Sequence, residues 1–461
     1  MKSYGTGTYA TALAAAAPGL RWVIPACGIA LLALFGVLYT TDTPLYSHVL
    51  TWFMSRPFSH PFIDWEWIPS AVECWQRGVD VYVDNTCYQT IAHGRHNYSP
   101  LWLRMTFLPY GARWVAPFGL GIGALFFASL AALPPPRRVA GFLVTALATF
   151  SSLTAFAVER ANVDLIMFVL TVAAAVCWAG PLRWRLAGYG IIVLAGLLKF
   201  YPFVLLILAL RERPRVFAGI CAATLVTLAA FGLTFGDELR HISAVPGGIY
   251  FEDRFAAVNL PYGLSLIATG SAAPAALPRA VLLLLTLAAV LRAASLSHRL
   301  RLDIALAAMP KREAGLLVAG AVLICACFFA GQNIGYRAIM LLLTLPGLLW
   351  LASCPESRSG RGTFVATGCA VVLVMWALAI RSVAESLSGG AAMVFGHWLI
   401  NELAWWWVVS VLLAVPIGFV RGSRIGREAL ARDFGIRSND RGIPSEPSPA
   451  NSLPGAFADA G

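Results

Sequence analysis

Apolar runs free of charge recur along the whole chain. A hydrocarbon core about 30 Å thick takes about 20 helical residues to cross. Runs of that order fill residues 22–40, 115–133, 139–157, 163–180, 214–234, 279–296, 314–330, 337–352, 363–380 and 403–420. The pattern predicts an all-α membrane protein, a polytopic transmembrane helix bundle of about ten spans. Spans pack side by side, so residues 1–420 read as a single transmembrane domain. Residues 421–461, rich in Arg, Ser and Pro, read as a disordered basic tail.

One stretch breaks the count. Residues 186–210 are apolar but flanked by basic clusters on both sides, and two full crossings do not fit there. A re-entrant helix pair resolves this. Residues 186–198 enter, Lys199, Phe200, Tyr201 and Pro202 form the break, and the rest returns to the same side. Proline removes a backbone donor there, and non-helical backbone at that depth must be buried in protein or line a wet cavity.

Composition agrees with a bilayer as the main solvent: 59 % of the 461 residues are hydrophobic and 12 % charged, against about 25 % charged in soluble domains. The net charge of +11 comes from 34 basic residues, of which only Lys2, Lys199 and Lys311 are lysine. They cluster at the ends of apolar runs, as at Arg137/Arg138, Arg211/Arg213/Arg215 and Arg421/Arg424/Arg427. Cytoplasmic loops collect Arg and Lys, so these clusters define one face and exclude a nucleic-acid partner. The first run is too long for a signal-peptide core and stays as an anchor. Both termini are then expected in the cytoplasm and the protein in the cell (inner) membrane, among membrane lipids.

This topology places residues 41–114, 159–164, 235–278, 331–336 and 381–402 outside, with most acidic residues and every histidine except His298. Of the nine cysteines, Cys74 and Cys87 share the large first outer loop, where an oxidising compartment would let them close a disulfide. His93 and His96 suit one helical face, but Gly94, Asn97 and Pro100 indicate a loop with no third metal ligand. Trp405, Trp406 and Trp407 fit an aromatic belt at the interface. No phosphate-binding glycine loop and no internal repeat stands out.

The first outer loop carries an acidic pair, Asp64 and Glu66, followed by a G-x-x-x-Y segment, Gly78 to Tyr82. A Y-x-P-L segment, Tyr98 to Leu101, comes next, and a K-x-Y-P segment, Lys199 to Pro202, later. Over roughly residues 20–350 these resemble the integral-membrane glycosyltransferases of the GT-C class, and most closely glycosyltransferase family 87, the polyprenol-phosphate-mannose-dependent mannosyltransferases. The resemblance implies a GT-C-type bundle that moves a mannose-like sugar from a polyprenyl-phosphate donor to a glycan or glycolipid acceptor outside the cytoplasm. It requires no cofactor and no metal.

Such chemistry needs a carboxylate to take the proton of the attacking hydroxyl, and cations to hold the departing phosphate. Asp64 is the expected base. Glu66, on the same face if the loop is extended, is a second acid. Lys199, a charge deep in apolar sequence, is expected to hold phosphate or a carboxylate, and Arg337 beside Tyr336 to present its fork to phosphate. Tyr336, Arg160 and Tyr98 are further substrate-binding candidates, with no side assigned to them, and Arg254 and Asn259 are candidates for the acceptor. Asn162 and Asp164, at a helix start, read as ordinary caps. Two features depart from the family pattern: the acids stand between aromatics, and the 159–164 turn lacks a glycine. A transporter or flippase of a lipid-linked saccharide is the alternative, since it would use a similar cavity without a base.

Overall fold

The structure is a computed structural model and describes residues 20–54, 60–88, 95–107, 109, 111–242, 250–251, 254–270, 276–354, 360–387 and 390–433. In chain order the helices begin with α1 (Leu20–Thr41), α2 (Thr43–Met54), α3 (Ile63–Gln76), α4 (Ala112–Ser129), α5 (Val139–Thr149), α6 (Ser152–Arg160), α7 (Val163–Trp178) and α8 (Leu182–Lys199). After a 3-10 segment, Tyr201–Arg211, come α9 (Pro214–Thr234), α10 (Gly236–Ile242), α11 (Asn259–Thr269), α12 (Ala276–Arg299), α13 (Leu302–Ala308) and α14 (Lys311–Ala330). A second 3-10 segment, Gly335–Leu343, leads to α15 (Leu345–Ser353), α16 (Arg361–Met375), α17 (Ala377–Ser386), α18 (Gly390–Gly422) and α19 (Arg424–Asp433). Two short strands, β1 (Arg254–Phe255) and β2 (Asn333–Ile334), pair antiparallel.

Among the described residues six helices are long and apolar enough to cross a membrane, or nine if each bent pair is one span. The chain is therefore a multi-pass, all-helical membrane protein. The expected spans at 139–157, 337–352 and 363–380 are the bent pairs, broken by 43°, 46° and 58°. The expected span at 163–180 is the shorter helix α7. Outer helices such as α9 and α12 turn large side chains outward, Leu233 being 89 % exposed and Leu283 69 %, a surface suited to hydrocarbon and not to water. Helix α14 is the axis of the bundle, packed against α7, α18 and both 3-10 segments.

The basic clusters gather at one end. Arg137 reaches Glu313 at 3.6 Å, the Arg211 guanidinium lies 4.1 Å from the Trp178 ring centroid, and Trp178 packs on Gly315 and Phe419. Helix α8 and the Tyr201–Arg211 segment form the expected hairpin. Arg185 clasps Glu212 through Nε at 2.6 Å and Nη2 at 2.9 Å, and the Tyr189 hydroxyl donates to Glu212 at 2.9 Å, with the Leu208 carbonyl as a second acceptor in reach at 3.2 Å. The tip, at Phe200, adopts a positive φ of 56°, and lies at the opposite end from the clasp.

Three expectations are corrected. The stretch holding Asp64 and Glu66 is not extended: α3 begins at Ile63, with both acids in its first turn, where a helix dipole favours carboxylates. Asp64 and Glu66 consequently point apart. The Trp run is no interfacial belt. Trp405 stacks on Phe255 at 4.4 Å and Trp406 meets Phe328 at 5.0 Å, both buried, because α18 lies inside the bundle. The tail expected from residue 421 starts with the end of α18 and with α19, and residues 434–461 lie outside the described residues.

Candidate functional site

Asp64 is positioned by its neighbours in sequence. Phe62, before the first turn of α3, takes a left-handed φ of 67° and donates its N–H to the Glu159 carbonyl at 2.6 Å. Its ring seats against Gly119, where a Cβ would collide with it. The Tyr88 hydroxyl donates to the Ile63 carbonyl at 3.1 Å. The end of α3 is thus pinned to α4 and α6, and the Asp64 carboxylate meets the α6–α7 turn.

That turn is made for close contact. Arg160 ends α6, Ala161 is left-handed, and Asn162 caps α7 by accepting the Asp164 N–H at 2.9 Å. The Asn162 amide also donates to Asp64 Oδ2 at 2.6 Å and accepts from Lys199 Nζ at 3.1 Å. Asp164 is fully buried and takes Lys199 at 3.0 Å, Arg337 Nε at 3.3 Å and the Tyr201 hydroxyl at 2.7 Å. Arg337 is held further by Asn333 and lies over the Tyr201 ring at 4.6 Å. Lys199 lies 5.4 Å from the Tyr98 ring centroid. The tip of the hairpin therefore brings Lys199 into the Asp64 neighbourhood. It is held up by Trp102, whose indole donates to the Leu198 carbonyl.

Asp64 differs from Asp164 in what surrounds it. Its side chain is 22 % exposed, and its nearest cation, Arg160, stands 3.9 Å away while also engaging Glu159 at 3.1 Å. Burial pushes the Asp64 carboxyl above the usual aspartate range, and Arg160 and the Asn162 hydrogen bond pull it back. Burial, with Asp64 and Asp164 nearby, raises the Tyr98 phenol, which stays a neutral hydroxyl.

The site opens beside an apolar cavity of ≈ 390 Å³ between α1, α2, α4 and α6. Phe35, Tyr46, Phe53, Phe62, Leu120 and Phe150 are among its walls, and Glu159 lies at its edge.

The structure thus brings Asp64, Arg160, Lys199, Arg337 and Tyr98 together, with buried Tyr336 close by against Phe156 at 5.4 Å. It separates the others. Glu66 turns to His60 at 2.8 Å. Asn259 is buried on Glu402, Gln332 and the Arg254 carbonyl, and the Arg254 side chain faces a different cavity with Arg381 and His397. A disulfide joins Cys74 and Cys87. His93 lies outside the described residues, and His96 is buried against Tyr82 at 5.6 Å. Among the described residues no group of three or more His, Cys, Asp or Glu is placed to hold a metal ion.

Four members of the site were not expected in it: Asn162, Asp164, Tyr201 and Asn333. Each sits within a few residues of an expected one. Tyr201 and Asn333 belong to the same short polar interruptions as Lys199 and Arg337.

No family model, no curated protein and no solved structure matches this chain.

Proposed function

We propose that the protein transfers a hexosyl group, mannose-like, from a polyprenyl phosphate to a hydroxyl of a glycan or glycolipid, on the face away from the basic clusters. The observation that carries this reading is the place of Asp64: a partly exposed carboxylate, weakly paired to its nearest cation and rigidly mounted, next to Phe62 and Glu159, which line an apolar cavity. The isoprenoid tail occupies that cavity, and the phosphate lies near Glu159 and Arg160 at its edge.

The reaction follows from these positions. The acceptor oxygen attacks the anomeric carbon, its proton passes to Asp64, and the bond from that carbon to the phosphate oxygen breaks with its electron pair leaving on the polyprenyl phosphate. Arg160, 3.9 Å from Asp64 and 3.1 Å from Glu159 of the cavity wall, is the cation assigned to the growing phosphate charge. Lys199 and Arg337 hold Asp164, and Asp164 with Lys199 fixes Asn162, which aims Asp64. For Lys199 the carboxylate is one of the two partners expected from sequence, whereas Arg337 was expected on phosphate; their ion pairs with Asp164 favour this positioning role.

The test is transfer of labelled sugar from defined polyprenyl-phosphate hexoses by the purified protein in lipid nanodiscs. Parent protein is expected to form labelled product, and Asp64→Asn to lose about 10²–10⁴-fold in rate while melting normally. Undiminished transfer by Asp64→Asn overturns the base assignment, and absence of labelled product from every donor overturns the transferase reading in favour of a flippase, which needs the cavity but no base.

A further inference from the structure

A second site stands further along α3. Trp75 lies near the C-terminal end of the helix, about 16 Å beyond Asp64 at the helical rise per residue. There the loop after α3 and helix α10 face each other across an open groove of ≈ 440 Å³, lined by Trp75, Asp80, Tyr82, Asp237, Glu238 and His241 among others. The wall is stiffened by the Cys74–Cys87 disulfide and by a small core of Ala71, Val81 and Leu103.

Tyr82 is the informative residue. It is 5 % exposed, and among the described residues its buried hydroxyl has no hydrogen-bond partner. Native proteins rarely leave such a group unpaired, and one that lines a groove is ready to pair with an occupant. The carboxylates around it are mostly balanced. Arg240 holds Asp237 at 3.0 Å, and Arg104 faces Glu238 at 3.6 Å while lying over Trp75. Asp80 accepts the Tyr82 N–H. Acceptor oxygens with little net charge, beside the rings of Trp75, Tyr82 and His241, suit a ligand with flat apolar faces and many hydroxyl donors. A metal ion would want more uncompensated charge.

We propose that this groove binds remote units of a neutral oligosaccharide. On the transferase reading given above, on which the link to Asp64 rests, those units belong to the acceptor: a chain long enough to bridge the two places is held at Trp75 and Tyr82 while its end reacts at Asp64. The wall is preformed, so little ordering opposes binding.

The experiment titrates full-length protein in detergent with mannotetraose, maltotetraose and chitotetraose, following tryptophan fluorescence and calorimetry. One of the three is expected to bind more tightly than its monosaccharide. Tyr82→Phe, which removes only the hydroxyl, should weaken it by roughly threefold to tenfold. Trp75→Ala should weaken it by about tenfold. Glu66→Gln, whose carboxylate pairs with His60 outside both places, should leave it unchanged. In transfer assays both groove variants should raise KM for the tetrasaccharide acceptor more than for the monosaccharide. No binding of any tetrasaccharide, or equal affinity in parent and Tyr82→Phe, overturns the proposal. If binding behaves as described while no polyprenyl-phosphate hexose is consumed, the transferase reading fails and the groove stands. If transfer occurs but both variants bind like the parent, the groove alone fails.

Discussion

Asp64 and Asp164 are joined through the single side chain of Asn162, yet their environments are opposite. Asp164 has no exposed surface and three strong partners, two of them cations. Asp64 keeps an open flank, one short hydrogen bond and one distant guanidinium. A saturated carboxylate has no lone pair left for a substrate proton, whereas an under-satisfied one has. The buried charge suits a structural role, and the half-open one suits the proton acceptor of the proposed transfer.

Exchange of one oxygen for nitrogen at each position should break the pair apart most visibly. Asp64→Asn is expected to abolish transfer with an unchanged melting curve. Asp164→Asn leaves Lys199 and Arg337 without their shared anion, and should lower unfolding free energy by about 3 kcal/mol, measured by thermal or denaturant unfolding in detergent. Asp164→Asn with parental stability would show the cations to be satisfied elsewhere.

Protonation gives a smaller effect. His96 packs between the rings of Tyr82 and Tyr98, 2 % exposed, and burial lowers it to about 4 from an ordinary 6.5. The unfolded chain therefore binds the proton first. The stability this neutral ring contributes is complete above about pH 6.5 and is lost as pH falls towards 4. At pH 5 the loss is about 2 kcal/mol, and His96→Phe should flatten it when melts at pH 5 and pH 7.5 are compared.

Only ionised Asp64 accepts a proton, so the rate should fall on acidification through its pKa, with that limb above the usual aspartate range. Asn162→Ala removes a hydrogen bond that favours the ionised form, so the limb should move higher still in kcat/KM profiles. A limb that moves down would mean that Asn162 acts otherwise. Smallest of all, Glu66→Gln is expected to leave transfer within about twofold, a contrast of less than 0.5 kcal/mol on the rate scale, because its partner His60 lies away from Asp64.

Much of this was legible in the residues. Apolar runs located the long helices, and basic clusters on both sides of residues 186–210 required a hairpin, which the Arg185–Glu212 clasp closes. Lys199 was conspicuous because a charge in apolar surroundings needs a partner. What eluded the one-dimensional pattern was pairing across the fold. Asn162 and Asp164 look like helix caps, and Asn162 is one; only packing of α3, α7 and the hairpin tip gives them their other contacts. The Trp405 to Trp407 run was misleading for the same reason, since an interfacial and a buried aromatic cluster share one composition. The Asp64 segment was mistaken for extended chain because Pro69 and closely spaced aromatics mask the helical period.

Phe62 belongs to two places at once. Its ring is part of the wall of the apolar cavity, and its backbone is the hinge from which the first turn of α3 departs. Whatever fills that cavity presses on the same residue that aims the Asp64 carboxylate. On the proposed transferase reading, a lipid tail in that cavity would bear on the mounting of Asp64, so a truncated carrier should cost turnover as well as affinity.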